Sequence, residues 1–326
     1  MKNIAITAGG DSGEYKISLM SAKAVSDNLD KTKYNAFIIF IRNGKWIYKT
    51  DNNKDIEVDK NDFSICIDNK KIYFDCVFNA IHGTPGENGK LQGYFDLLNI
   101  PYTSCNLVTS AITFNKNFCN KIVSSLGYQT AKSILLYKDE KINIEKITSE
   151  ISLPCFVKPN NGGSSICTSK VNKKEELEGA IKLAFNQDTE VLVEEFINGR
   201  EITCGIIKTK TESIVLPLTE IVSKNEFFDY EAKYNEDFAD EITPAPIPEA
   251  VEIDCKCISS DLYSKLNCKG IVRFDYIYSD NALYFLEVNT IPGFSEKSII
   301  PKQVKAYGMP IKKLYSMAIE DAILKK

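Results

Sequence analysis

A single histidine, His82, stands among 326 residues, and no two of the ten cysteines form a Cys-x-x-Cys pair. Cys255 and Cys257 are two apart, the wrong spacing for a zinc knuckle, so a zinc site of imidazole and thiolate is disfavoured. Scattered cysteines of this kind fit reduced thiols in a cytoplasm, most of them small core residues. No apolar run approaches the roughly 18 residues of a membrane span. The first ten residues, MKNIAITAGG, enter a strand instead of a signal peptide. Internal repeats and low-complexity linkers are absent. So are the phosphate signatures G-x-G-x-x-G and G-x-x-x-x-G-K-[ST]. A net charge of −4 argues against a nucleic acid as the main partner.

What is present is an ordinary globular composition, 44% hydrophobic and 26% charged, long enough for two or three domains. The most informative stretch runs from Ile271 to Pro301. Two apolar runs flank Ser279-Asp280-Asn281, which predicts a β-hairpin. Asp275, Glu287 and Asn289 lie near its strand ends, and Glu287 and Asn289 share a face by the two-residue strand period. Two carboxylates and an amide oxygen suit a hard cation such as Mg²⁺ that leaves positions for phosphate oxygens. Taken alone, the trio also fits solvated strand-edge charges. Arg273 shares the face of Asp275 and brings a fixed positive charge. The turn after Asn289 contains Gly293, whose N–H can approach a ligand closely.

Along the chain, strands alternate with helices. A strand over residues 3–7 runs into a Gly-rich turn and a helix reaching about Leu29, an α/β ligand-binding arrangement. Glu14 in that turn reads as a helix-start charge or as a ligand for an ammonium group. A buried strand over 74–80 ends in a long turn rich in glycine, residues 81–89, where His82 either stabilises the turn or meets substrate. One helix is expected from Leu107 to Leu126, capped by Gly127 and carrying Lys116, which reads as an ordinary solvated lysine. The strand ending at Lys158 leads into Asn160–Ser165, a run of small and polar residues with the chemistry of a phosphate cradle. Adjacent acids, Glu194 and Glu195, close another strand and can meet ribose or adenine. Residues 227–234, FFDYEAKY, read as a loop in which Lys233 and Tyr234 are candidates for covering a bound nucleotide.

Taken together, GGDSGEYKIS, HGTPGENG with LQG, IPYTS, FVKPNNGGSS, VEEFINGRE, FFDYEAKY, GIVRFDY and LEVNTIPGFSEKSIIP resemble the D-alanine–D-alanine ligases of the ATP-grasp superfamily. The motifs lie in that family's order and cover nearly the whole chain. The resemblance implies an α/β ATP-grasp fold of three domains. These are a Rossmann-like pre-ATP-grasp domain over 1–103, a central ATP-grasp subdomain over 104–188 and a C-terminal subdomain over 189–326. It implies ATP-dependent joining of two D-alanines through an acyl phosphate, for peptidoglycan and cell-wall synthesis, by a cytoplasmic homodimer. D-Ala–D-Ser or D-Ala–D-lactate ligation is the alternative within the family. An ATP-binding protein without ligase activity is the alternative outside it.

The resemblance also implies roles. Lys116, Lys158 and Lys233 would hold ATP phosphates, with Ser165 in the same loop. Glu194 would hydrogen-bond adenine and Glu201 the ribose, with Glu195 also in the ATP site. Asp275, Glu287 and Asn289 would carry two Mg²⁺ or Mn²⁺ ions. Glu14 and His82 would hold the first D-alanine, with Ser164 and Tyr234 linked to Glu14. Arg273 and the Gly293 N–H would form an oxyanion hole, and Ser298 would hold the second carboxylate. One position departs from the pattern: where G-S-S-x-G is usual, this chain reads Gly163-Ser164-Ser165-Ile166-Cys167. If that position takes positive φ, a cysteine there is strained.

Overall fold

The computed structural model describes residues 1–50, 52–223 and 239–324. The chain begins with β1 (Lys2–Gly9), α1 (Tyr15–Asn28) and β2 (Tyr34–Arg42), followed by β3 (Lys45–Lys49) and β4 (Asp55–Glu57). A small hairpin of β5 (Ile65–Ile67) and β6 (Lys70–Ile72) precedes β7 (Cys76–Asn79) and α2 (Lys90–Leu97). The first sheet has the order β4-β3-β2-β1-β7. Central β1 runs parallel to β2 and β7. Both its faces are covered: Ile4, Ile6 and Ala8 pack into one core and Ala5 into another, as a central parallel strand requires.

Next come α3 (Leu107–Phe114) and α4 (Lys116–Ser125), where one continuous helix is expected from the sequence. The break has a local cause. Asn115 takes extended backbone angles, and its side chain accepts the Phe118 N–H as an N-cap. Lys116 therefore opens a helix instead of sitting within one. The expected end is found at Gly127, with φ of +91°.

A four-stranded antiparallel sheet, β11-β10-β12-β9, comprises β9 (Ser133–Tyr137), β10 (Cys155–Pro159), β11 (Ser169–Val171) and β12 (Glu190–Glu195). Helices α5 (Ile144–Glu150) and α6 (Leu177–Ala184) cover one of its faces through a core including Val157, Val193 and Ile181. β12 is hydrogen-bonded into this sheet between β10 and β9. A domain boundary between 188 and 189 would separate that strand from its partners.

The largest sheet is built on the predicted hairpin, β17 (Ile271–Ser279) and β18 (Ala282–Asn289), turned through Asp280 and Asn281, both at positive φ. Its order is β16-β15-β13-β17-β18-β8, and β14 pairs with β13. The remaining strands are β8 (Gln129–Thr130), β13 (Arg200–Lys208), β14 (Ser213–Val215), β15 (Thr219–Ser223) and β16 (Ala239–Ile242). Helix α7 (Glu249–Lys265) packs on one face, over Ile202, Cys204, Phe274 and Tyr276. The chain ends in α8 (Ile299–Ala306) and α9 (Ile311–Leu324). Leu314, Tyr315 and Ile319 of α9 return to the core under the first sheet, so the last helix fastens the C-terminal part to the N-terminal strands. Among the described residues, no helix is long and apolar enough to cross a membrane.

Candidate active site

The cleft is made of strand faces turned away from the cores. On β10, Cys155 and Val157 pack inward, so Phe156 and Lys158 face the cleft. On β12 the same alternation places Glu194 opposite Phe156. On β13, Ile202 and Cys204 are core and Glu201 faces out; on β17, Phe274 and Tyr276 are core, and Arg273 and Ile277 face out. β18 needs a correction to simple alternation. Phe285 and Glu287 are two apart and would share a face, yet Phe285 is core and Glu287 lines the cleft. The register shifts between Asp275 and Tyr276, whose partners are Glu287 and Phe285. Leu286 is the extra residue of a bulge that re-aims Glu287.

The cleft has two chambers. The first, about 730 Å³, is lined by Lys158, Ser165, Glu194 and Glu195 among others. The second, about 590 Å³, holds His82, Arg273, Asn289, Gly293 and Ser298. Glu14, Lys116, Ser164, Glu201 and Glu287 line both and mark where they join. Lys233 and Tyr234 lie outside the described residues.

In the first chamber, Glu194 is buried and accepts from Lys158 Nζ and, at 3.1 Å, from Asn120 Nδ2. Glu195 accepts the Lys132 N–H at 2.7 Å, which fixes its carboxylate at the rim. Lys116 donates to the carbonyl of Gly162, so this lysine reaches into the loop instead of into solvent. That loop is tightly wound: Ser164, Ser165 and Cys167 have φ of +53°, +54° and +55°. The expectation of positive φ at the cysteine is met, and two serines share the conformation.

At the junction, Glu14 does not cap α1 with its side chain; its carboxylate accepts from the Ser164 hydroxyl. A Cβ on Gly163 would fall 2.8 Å from Glu14 Oε2. In the second chamber, Arg273 holds Asp275 side-on, Nε to Oδ1 at 2.8 Å and Nη2 to Oδ2 at 2.7 Å. Burial works against the guanidinium charge, and the adjacent Asp275 carboxylate more than offsets it, so Arg273 is held firmly protonated. The pairing uses one lone pair on each Asp275 oxygen and leaves a donor at Nη1. Asn289 Oδ1 accepts the Ile291 N–H at 3.1 Å and retains a second lone pair.

The donor set fits a divalent cation. Asp275, only 1% exposed, stands opposite Glu287 on the neighbouring strand. Like charges so placed repel, and a cation between them would relieve this. Among the described residues, no three His, Cys, Asp or Glu side chains gather about one point. Two carboxylates and an amide leave the remaining positions to water or phosphate oxygens.

Several neighbours were not singled out from the sequence. Glu87, in the turn after His82, accepts the Gly83 N–H at 2.6 Å. Desolvation in the cleft, and next the Glu14 charge, push its carboxyl up to about 8. An acid beside two glycines in that turn was its only sequence signal. Glu220 is buried and takes Arg200 through two hydrogen bonds of 2.6 and 2.7 Å. Asn120 and Ser21 carry no motif, and only tertiary placement brings them against Glu194 and His82.

Compared with known proteins, residues 3–105 match the family model described as D-ala D-ala ligase N-terminus, and residues 122–320 match D-ala D-ala ligase C-terminus. The chain belongs to the D-alanine–D-alanine ligase family. A D-alanine–D-alanine ligase of Flavobacterium johnsoniae is 48% identical, with 98% of this chain and 99% of that protein covered. One from Phocaeicola vulgatus is 46% identical, again with 98% of this chain and 99% of that protein covered. Among solved structures, the VanG D-Ala:D-Ser ligase from Enterococcus faecalis superposes with a TM-score of 0.88 at 34% identity, covering 98% of each chain. A Bacillus anthracis D-alanine–D-alanine ligase complexed with ATP superposes with a TM-score of 0.79 at 30% identity, covering 100% of this chain and 98% of that one. The three-domain ATP-grasp fold implied by the motifs is the fold of this family.

Proposed function

We propose that this family member joins two D-alanines, using ATP, into D-alanyl-D-alanine for cell-wall peptidoglycan. The observation that carries this reading is the match to D-alanine–D-alanine ligases over nearly the full length, with 48% identity to one of them. It is joined to a cleft with one chamber suited to a nucleotide and a second suited to amino acids.

A carboxylate is a poor electrophile, so the first D-alanine is activated by phosphoryl transfer from ATP to an acyl phosphate. Lys116 and Lys158 line the first chamber and hold the triphosphate, Ser165 supplies loop contacts, Glu194 and Glu195 take the adenine, and Glu201 takes the ribose. A hard divalent cation, Mg²⁺ or Mn²⁺, held by Asp275, Glu287 and Asn289 in up to two sites, offsets phosphate charge when bound. Glu14, supported by Ser164 and near His82, binds the first ammonium group. The second amine attacks the acyl carbon and phosphate leaves. Arg273 and the Gly293 N–H are aimed where the oxyanion forms, and Ser298 holds the second carboxylate. The expected homodimer and cytoplasmic location belong to the same proposal. So do units over 1–103, the central segment with β12 included, and the remainder.

D-Serine as second substrate is the second reading, favoured by the superposition on a D-Ala:D-Ser ligase at 34% identity. Phosphate release from ATP with D-alanine alone, or with D-serine, D-lactate or L-alanine added, together with product mass, decides between them. D-Alanyl-D-alanine as the main product supports the first reading. No amino-acid-dependent phosphate release overturns both.

A further inference from the structure

Ser21 has no part in the chemistry above, yet its hydroxyl joins three segments around the second chamber. It is fully buried on α1, two turns beyond Glu14. The Phe294 N–H donates to Ser21 Oγ at 3.2 Å, and the same Oγ lies 3.0 Å from His82 Nε2. The Ile291 backbone also acts on the His82 ring, favouring its charged form. A hydroxyl that accepts an amide proton has its own proton to give, and the neighbour in reach is His82 Nε2. The resulting path runs from the Phe294 N–H, next to Gly293, through Ser21 to His82.

Phe294 is fixed from its other sides as well. Its carbonyl accepts from the Tyr315 hydroxyl at 3.4 Å, and its ring meets Phe78 and Tyr315 edge-on, with centroids 5.3 and 5.8 Å apart. A Cβ on Gly293 would fall 2.6 Å from Ser298 Oγ, so the Gly293 backbone is pressed against the residue that would hold the second carboxylate. We propose that Ser21 is a positioning residue: it sets the tautomer of His82 and the aim of the Gly293 N–H without touching substrate. The consequence for rate rests on the ligase reading; the hydrogen-bond path does not.

Ser18 provides the comparison. It is equally buried on the same helix, accepts the Gly9 N–H at 2.9 Å and donates to the Ala80 carbonyl at 2.7 Å. Its bonds tie β1 to the end of β7 and touch neither His82 nor the Gly293 turn. Ser21→Ala and Ser18→Ala thus remove similar buried bonds, with only one of them in the path.

Because His82 is the sole histidine, the ¹⁵N shifts of one imidazole report the tautomer directly. The expected result in the wild type is a proton on Nδ1 and an acceptor Nε2, with that signature lost or averaged in Ser21→Ala. The ligation kcat of Ser21→Ala should fall by roughly 10- to 100-fold, as for a displaced transition-state donor, with the KM for ATP unchanged. Ser18→Ala should lose comparable thermal stability and keep kcat within a few-fold. A wild-type His82 protonated on Nε2 overturns the path even if no variant folds. Wild-type kcat in Ser21→Ala overturns the positioning role. If the wild type makes no dipeptide, the ligase reading fails, and the tautomer still decides the path.

Discussion

Asp275 and Glu287 stand directly opposite each other across β17 and β18, and Arg273 pairs side-on with the first while its charge also acts on the second. The bulge at Leu286 creates this opposition, because it turns Glu287 to the cleft while keeping Phe285 in the core. Two carboxylates placed opposite each other can share a divalent cation, which gives a direct test of the metal reading.

Glu287→Gln should lower ligation by at least about 100-fold, since an amide cannot replace the charge that a divalent cation needs. Added Mg²⁺ should stabilise the wild type more than the variant in urea unfolding. Equal Mg²⁺ responses, or undiminished turnover, would remove Glu287 from the metal site.

Cys167 holds φ of +55° in the loop, a conformation that costs an L-residue other than glycine roughly 1–2 kcal/mol. Cys167→Gly should therefore be tolerated, with stability unchanged or raised by up to about 1 kcal/mol once the added freedom of the unfolded glycine is counted. Turnover should be retained or faster. A thiol reagent should slow the wild type more than the variant. Cys66 and Cys257 are the exposed thiols, so equal sensitivity would point to them instead.

Glu87 provides a pH-dependent term. Its carboxyl is raised from an ordinary 4.5 to about 8, by desolvation first and by the Glu14 charge second. Between those values the folded protein holds a proton that the unfolded chain has released. Its contribution to stability is full below about 4.5 and is lost as pH rises through about 8. Glu87→Gln keeps an acceptor for the Gly83 N–H and removes the titration. The variant's urea midpoint should change less between pH 6 and pH 8 than that of the wild type. Parallel profiles would show that Glu87 ionises normally.

Much of this site was legible because the chemistry lies in local order. Period-two alternation alone sends Lys158, Glu194, Glu201 and Arg273 to one cleft, and Asp280-Asn281 announces the hairpin. The sequence was silent where one residue changes the count. The helix expected over residues 107–126 breaks at Asn115 because an Asn side chain can cap as readily as it can sit on a helix face. The bulge at Leu286 leaves the composition of β18 unchanged while reversing which face Glu287 occupies. Ser21 is one buried serine among several on α1, and its partners come from segments some 60 and 270 positions away. Such partners are fixed by packing, on which a local pattern carries no information.

Gly163 allows a prediction in which distance decides the outcome. An added Cβ would lie 2.8 and 3.1 Å from the two carboxylate oxygens of Glu14, and the nearer must shift. The obstructing atoms are the far end of a flexible side chain, so the fold can yield. Glu14 would swing away and lose its bond from Ser164. A hydrogen bond to a charged group is worth about 1.5–3 kcal/mol, or roughly 10- to 150-fold in binding. Gly163→Ala should thus raise the KM for the first D-alanine at least about tenfold. Unfolding should shift by no more than about 1.5–3 kcal/mol, the worth of the lost bond to a charged group. Gly86→Ala is the opposite case: its Cβ would sit 2.1 Å from the Ile81 carbonyl oxygen, which is backbone and cannot yield, so that variant should lose most of its stability. The measurements are KM for D-alanine at saturating ATP and urea midpoints for both variants. A Gly163→Ala enzyme with the wild-type KM would mean that Glu14 does not hold the first ammonium group, and the assignment of the second chamber would have to be reversed.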